Sequence, residues 1–82
     1  MSITSEQVRA ARALLNWSQG KLAEAAGVAR ATLAEFEAGK RVPIANNLEA
    51  IKGALEDEGV VFLDANEIGP GVRIRKPLDA AE

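Results

Sequence analysis

Over residues 5 to 58 the apolar side chains recur in steps of three and four, the period of a helix with one buried face. After Gly59 they recur in steps of two, the period of a strand. Val8, Ala11, Leu14 and Leu15 mark the buried side of a first helix. Thr4 and Gln7 have the spacing of a capping box, in which each side chain bonds the other residue's backbone N–H. Ile3 and Val8 supply the hydrophobic staple beside it, so the helix should begin at Ser5. Asn16 stands at its far end, where asparagine tolerates the left-handed conformation that ends a helix. Trp17 follows, placed just before Ser18 to pack on Leu22, which makes it a core residue.

Ser18 is the N-cap of a second helix, with Gln19 at its first position and Leu22, Ala23 and Ala26 on one buried face. Gly27 stops it, because the left-handed turn required there costs an L-residue roughly 1–2 kcal/mol and glycine almost nothing. Val28 is the buried plug of the turn. A third helix runs from about Arg30 to Ala38, buries Leu33, Phe36 and Glu37, and stops at Gly39. Pro43 forbids its continuation through the Lys40-Arg41-Val42-Pro43 loop. The fourth helix starts at Asn46 or an adjacent residue. Leu48, Ile51, Ala54 and Leu55 give it a helical stripe, and Glu56-Asp57-Glu58-Gly59 ends it. The three acids of that last turn oppose the helix dipole by tenths of a kcal/mol each; they serve either solubility or a basic partner.

Val60 to Leu63 and the alternating Val72-Arg73-Ile74-Arg75 read as two strands of a hairpin, joined through a stretch from Asp64 to Gly71 rich in turn residues. A lone hairpin is marginally stable in water, so this one should either pack on the helices or pair with the hairpin of a second chain. Residues 77–82 read as a frayed tail.

The residues Gln19, Leu22, Ala23, Gly27, Leu33, Phe36 and the closing Glu37-Ala38-Gly39-Lys40 resemble the Cro/repressor-type helix-turn-helix, the XRE family, over roughly residues 5 to 56. The resemblance implies a mainly α fold: a four-helix, lambda-repressor-like DNA-binding domain with a C-terminal β-hairpin. Residues 1–58 would form the helix-turn-helix domain and 59–76 the hairpin, expected to serve dimerisation. The implied function is that of a sequence-specific, repressor-like transcriptional regulator, a homodimer that inserts its third helix into the major groove of double-stranded DNA. By the same resemblance Gln19 meets a phosphate through its amide and the free N–H groups of the helix start, and Lys40 and Arg41 reach the DNA backbone. Gly20 beside Gln19 either permits close approach to that phosphate or is a tolerated defect. Arg12 and Glu37 match the pair that family members use as a salt bridge between the first helix and the end of the third.

A 100° turn per residue groups Ala29, Arg30, Ala31, Thr32, Ala34 and Glu35 on the outward face of the third helix. Arg30 suits a bidentate contact to guanine, Glu35 suits the cytosine amine, and Thr32 or the alanines, Ala31 among them, suit a thymine methyl. Two positions depart from the family pattern. Ala29 stands at the N-cap, where a hydroxyl residue is usual, losing about 1 kcal/mol of capping, and Ala31 replaces a longer polar side chain.

Composition narrows the alternatives. Eighty-two residues, 48 % of them hydrophobic, fit one domain with a small core. With no cysteine and no histidine, thiolate and imidazole metal sites and the usual nucleophile–base pairs are absent, so neither an enzyme nor a cofactor is expected. No apolar run approaches the roughly 18 residues of a membrane span and the MSITSEQ start has no signal-peptide character, which makes the cytoplasm the expected location. The net charge of −2 divides unevenly: residues 1–52 carry seven basic groups against five acidic, residues 53–82 three against seven. That division fits either a local DNA face or ordinary surface scatter. An acidic tail with a hairpin also fits a second reading: an antitoxin or other interaction module that holds a partner protein.

Overall fold

The computed structural model describes residues 3–63 and 71–74. Four helices precede one hairpin: α1 (Ser5–Leu15), α2 (Gln19–Ala26), α3 (Arg30–Glu37), α4 (Ala45–Asp57), β1 (Val60–Leu63) and β2 (Gly71–Ile74). The expected loop over 64–70, the last strand position at Arg75 and the tail 77–82 lie outside the described residues.

The boundaries follow from local chemistry. At the start of α1 the Thr4 side chain accepts from Gln7 N–H while Gln7 Oε1 accepts from Thr4 N–H at 2.9 Å, closing the capping box. Asn16 ends the helix with φ 58°. Ser18 caps α2 by accepting from Lys21 N–H at 3.0 Å, and Gly27 ends it with φ 70°. Helix α3 stops at Glu37, one residue before the expected Ala38. Ala38 stays right-handed as the cap and Gly39, with φ 76°, makes the reversal, so that Lys40 N–H bonds back to Glu35 O. Helix α4 starts at Ala45, adjacent to Asn46 as expected, and its N-cap Ile44 makes no side-chain cap bond.

One core unites these elements. Val8, Ala11, Leu22, Leu33, Ile51 and Leu55 are fully buried, and Ile3, Ala23, Phe36, Val60 and Phe62 complete the cluster. The hairpin is antiparallel, with Val60 opposite Ile74 and Phe62 opposite Val72. Residues directly opposite share a face, and here that face meets the helices: all four side chains belong to or pack on the core. Pairing with the helices is therefore realised within one chain, chiefly against α1 and α4.

Several side chains depart from the expected full burial; Leu15, Ala26, Leu48 and Ala54 are half-buried against the core. Leu14 is 47 % exposed although its spacing places it beside the α1 stripe. It lies two turns after Gln7 on the same edge of the helix; the hairpin covers that edge at Gln7, whereas at Leu14 the edge stays open. Trp17 is half-buried rather than fully enclosed. It packs on the core with one part of the ring and receives the Lys21 ammonium 5.5 Å from the ring centroid on another. Val28 is likewise half-buried, packed against the core at the α2–α3 turn.

Candidate nucleic-acid interface

The orientation of α3 is set by Glu37, its last residue, which is 3 % exposed. A carboxylate that deeply buried needs hydrogen-bond donors, and α1 and α2 supply them. Arg12 Nε donates to Glu37 Oε2 and Arg12 Nη2 to Oε1, both at 2.7 Å, the two-pronged geometry a planar guanidinium makes with a carboxylate. Gln19 Nε2 donates to the same Oε1 at 3.0 Å, and Arg12 Nη1 donates to Trp17 O at 2.9 Å. Arg9 Nη1 reaches the main-chain carbonyl of Glu37, one of the acceptors that a helix end leaves without an internal partner.

Four segments are thus tied together through the Arg12–Glu37 pair: the middle of α1, the α1–α2 turn, the first residue of α2 and the end of α3. No buried side-chain polar atom among the described residues lacks a partner. Hydrogen bonding to Glu37 raises the Arg12 pKa above its ordinary value, against the desolvation that lowers it. A raised base contributes stability below its unfolded pKa and loses it as pH rises through the folded value, so Arg12 stays charged across neutral pH.

The candidate DNA-facing residues fall around this clamp. Ala29, Arg30, Ala31 and Glu35 are exposed on α3, and Thr32 and Ala34 are half-buried beside them. Ala29 makes no capping bond, so α3 begins without side-chain help. Lys40 and Arg41 are exposed on the loop that follows. The structure brings Arg41 to Glu35, Nε to Oε1 at 3.7 Å, so a residue assigned to phosphate lies against one assigned to a base. With 76 % and 47 % of those side chains exposed, the pair is worth little and opens readily.

Gln19 has its side-chain NH2 turned inward to Glu37. What the start of α2 presents to a ligand is therefore the backbone N–H groups of Gln19 and Gly20, which have no partner among the described residues. A Cβ built at Gly20 would lie 3.8 Å from Ser18 Oγ and 3.9 Å from Arg30 Nη1, ordinary contacts, so packing within the chain does not require glycine there. The Arg30 guanidinium accordingly stands beside the first turn of α2.

Two helices joined by a left-handed glycine, the second one presented outward and held from behind by the Arg12–Glu37 clamp, match a known family along most of the helical region. The family model described as helix-turn-helix matches residues 8–56. The chain belongs to the Cro/repressor-type helix-turn-helix family. It is a DNA-binding helix-turn-helix protein. No curated protein matches the chain. Within the helix-turn-helix, α2 and α3 are the paired helices and α1 and α4 close the core behind them. No helix among the described residues is long and apolar enough to cross a membrane.

Sequence reasoning left two residues of this arrangement unassigned. Arg9 lies one turn before Arg12, a spacing that allows both to face the same neighbour. Gln7 was assigned to the capping box alone, yet its Nε2 also donates to Leu63 O at 3.1 Å and Gly71 O at 2.9 Å. No pattern in the sequence pairs residue 7 with residues 63 and 71.

Proposed function

We propose that this protein is a sequence-specific transcriptional regulator of the repressor type, working as a homodimer that inserts α3 into the major groove. The clamp at Glu37 carries the reading, because it fixes a solvent-exposed α3 face relative to the start of α2 and the Lys40–Arg41 loop. Phosphate contacts orient a protein on the duplex and base contacts give it sequence preference. Here the backbone N–H groups at Gln19, together with Lys40 and Arg41, take the first role, and Arg30, Ala31, Thr32 and Glu35 take the second.

The base-reading surface is small and rich in alanine, and Arg30 is its single basic side chain. Affinity therefore rests on phosphates and on a second subunit, which places two α3 helices about one helical turn apart, roughly 34 Å, on an operator with inverted symmetry. The hairpin is the proposed dimerisation element. On DNA the Glu35–Arg41 pair opens, freeing Arg41 for a phosphate and Glu35 for a cytosine amine.

Fluorescence anisotropy on random duplex and on an operator recovered by selection tests the proposal. Binding should fall steeply as salt rises, because each neutralised phosphate releases a counterion. Arg30→Ala should relax base preference at one position, whereas Lys40→Ala should weaken all sequences alike and lower the salt slope by about 1. Absence of binding to any duplex at low salt would sink the reading.

A further inference from the structure

Resting on that reading, we infer that Arg9 is a further phosphate-contacting residue, presented at the carboxyl end of α3 between the start of α2 and the Lys40–Arg41 loop. The inference begins with the charges at Glu37. Its carboxylate is taken by Arg12 in a two-pronged ion pair and by Gln19, so Arg12 and Glu37 neutralise each other. Arg9 donates only to the main-chain carbonyl of Glu37, a neutral acceptor. Its positive charge is not cancelled there.

The surroundings leave that charge outward. Arg9 is exposed. Glu6, one turn earlier on α1, lies near enough to feel the charge of Arg9, but no ion pair within 4.0 Å joins the two among the described residues. The bond to Glu37 O uses one nitrogen and leaves the rest of a five-donor fork available. It also restrains a side chain that would otherwise lose much rotamer freedom on binding.

The position fits a phosphate. Glu37 is the point where the first residue of α2 and the last residue of α3 meet, and Lys40 and Arg41 leave from the same helix end. Arg9 is tethered to the main chain of that residue, which bonds the first residue of α2 through its side chain and precedes the Lys40–Arg41 loop by three residues. It joins an existing line of phosphate contacts and makes no contact with bases. A guanidinium that orders the end of α3 through one hydrogen bond and nothing else is the competing role, and the two differ in what salt does to binding.

The experiment compares the full chain with Arg9→Gln and Arg9→Lys on random duplex and on the selected operator, with urea unfolding followed by Trp17 fluorescence to show that each variant is folded. Arg9→Gln should lower the slope of log K against log salt by about 0.9, so that the loss of affinity between 50 and 200 mM salt becomes about 3-fold smaller. The ratio of operator to random affinity should stay unchanged, and Arg9→Lys should keep the slope of the parent. An unchanged slope in folded Arg9→Gln overturns the inference and assigns Arg9 to structure alone. A slope lost in Arg9→Lys as well overturns it too, because the charge would then not be the cause. If the parent itself binds no duplex at low salt, the proposed function fails, and that outcome is distinct from both.

Discussion

At Glu37 the carboxylate accepts from Arg12 and Gln19 while the main-chain carbonyl accepts from Arg9, so the residue that ends α3 also ties it to α1 and α2. Removing the charge of one member of such a pair leaves the other without its counter-ion in a partly desolvated place. Arg12 retains 20 % exposure, so the penalty falls below that of a fully buried pair. Glu37→Gln should cost on the order of 2 kcal/mol in urea unfolding. It should also weaken DNA binding without Glu37 touching DNA. A loss of binding at unchanged stability would instead make Glu37 a contact residue. The spacing of Arg12 and Glu37 was legible in the sequence through the family pattern. The inward turn of Gln19 was not, because a glutamine at a helix start bonds whichever partner the tertiary structure brings near.

Among the elements, α3 has the weakest local support. It spans only Arg30–Glu37, its N-cap is Ala29, and no side chain bonds its first N–H groups. Short helices are marginal on their own, so α3 is held by Leu33 and Phe36 in the core and by the Glu37 clamp. Ala29→Ser should raise stability by about 1 kcal/mol in thermal or urea unfolding, since the backbone at 29 is already extended and a serine hydroxyl can accept from the first turn. No gain would mean that the hydroxyl is drawn elsewhere. Helices α1 and α2 show the opposite case. Thr4, Gln7, Asn16, Ser18 and Gly27 announce their ends in the sequence, and the structure places those ends at the same residues.

For the whole molecule, the hairpin is part of the core. Val60 and Phe62 lie in the same cluster as Val8, Leu22 and Ile51, and Gln7 holds the carbonyls of Leu63 and Gly71, the last residue of β1 and the first of β2. Deleting residues 59–82 therefore strips the helical core of two buried side chains and leaves the Gln7 amide without its partners. Burial of large apolar side chains is worth about 2–3 kcal/mol each, so circular dichroism should show the truncated chain at a markedly lower melting temperature. An unchanged melting temperature would show a helical domain that stands alone. Val42 and Ile44, 72 % and 70 % exposed around the buried Pro43, contribute nothing to this core although their composition is apolar.

The sequence alone determined what depends on neighbours a few residues away: caps, left-handed helix ends, the helical and alternating periods, and the glycine turn that marks the helix-turn-helix. Those features follow from backbone sterics and local hydrogen bonds, which need no knowledge of the rest of the chain. Tertiary structure alone decided which polar side chains close which gaps. Gln7 meets the hairpin 56 and 64 residues away, Arg9 meets the end of α3, and Arg41 meets Glu35. It also decided that the edge of α1 is covered at Gln7 and open at Leu14, because the same face of one helix is buried only where another element reaches it.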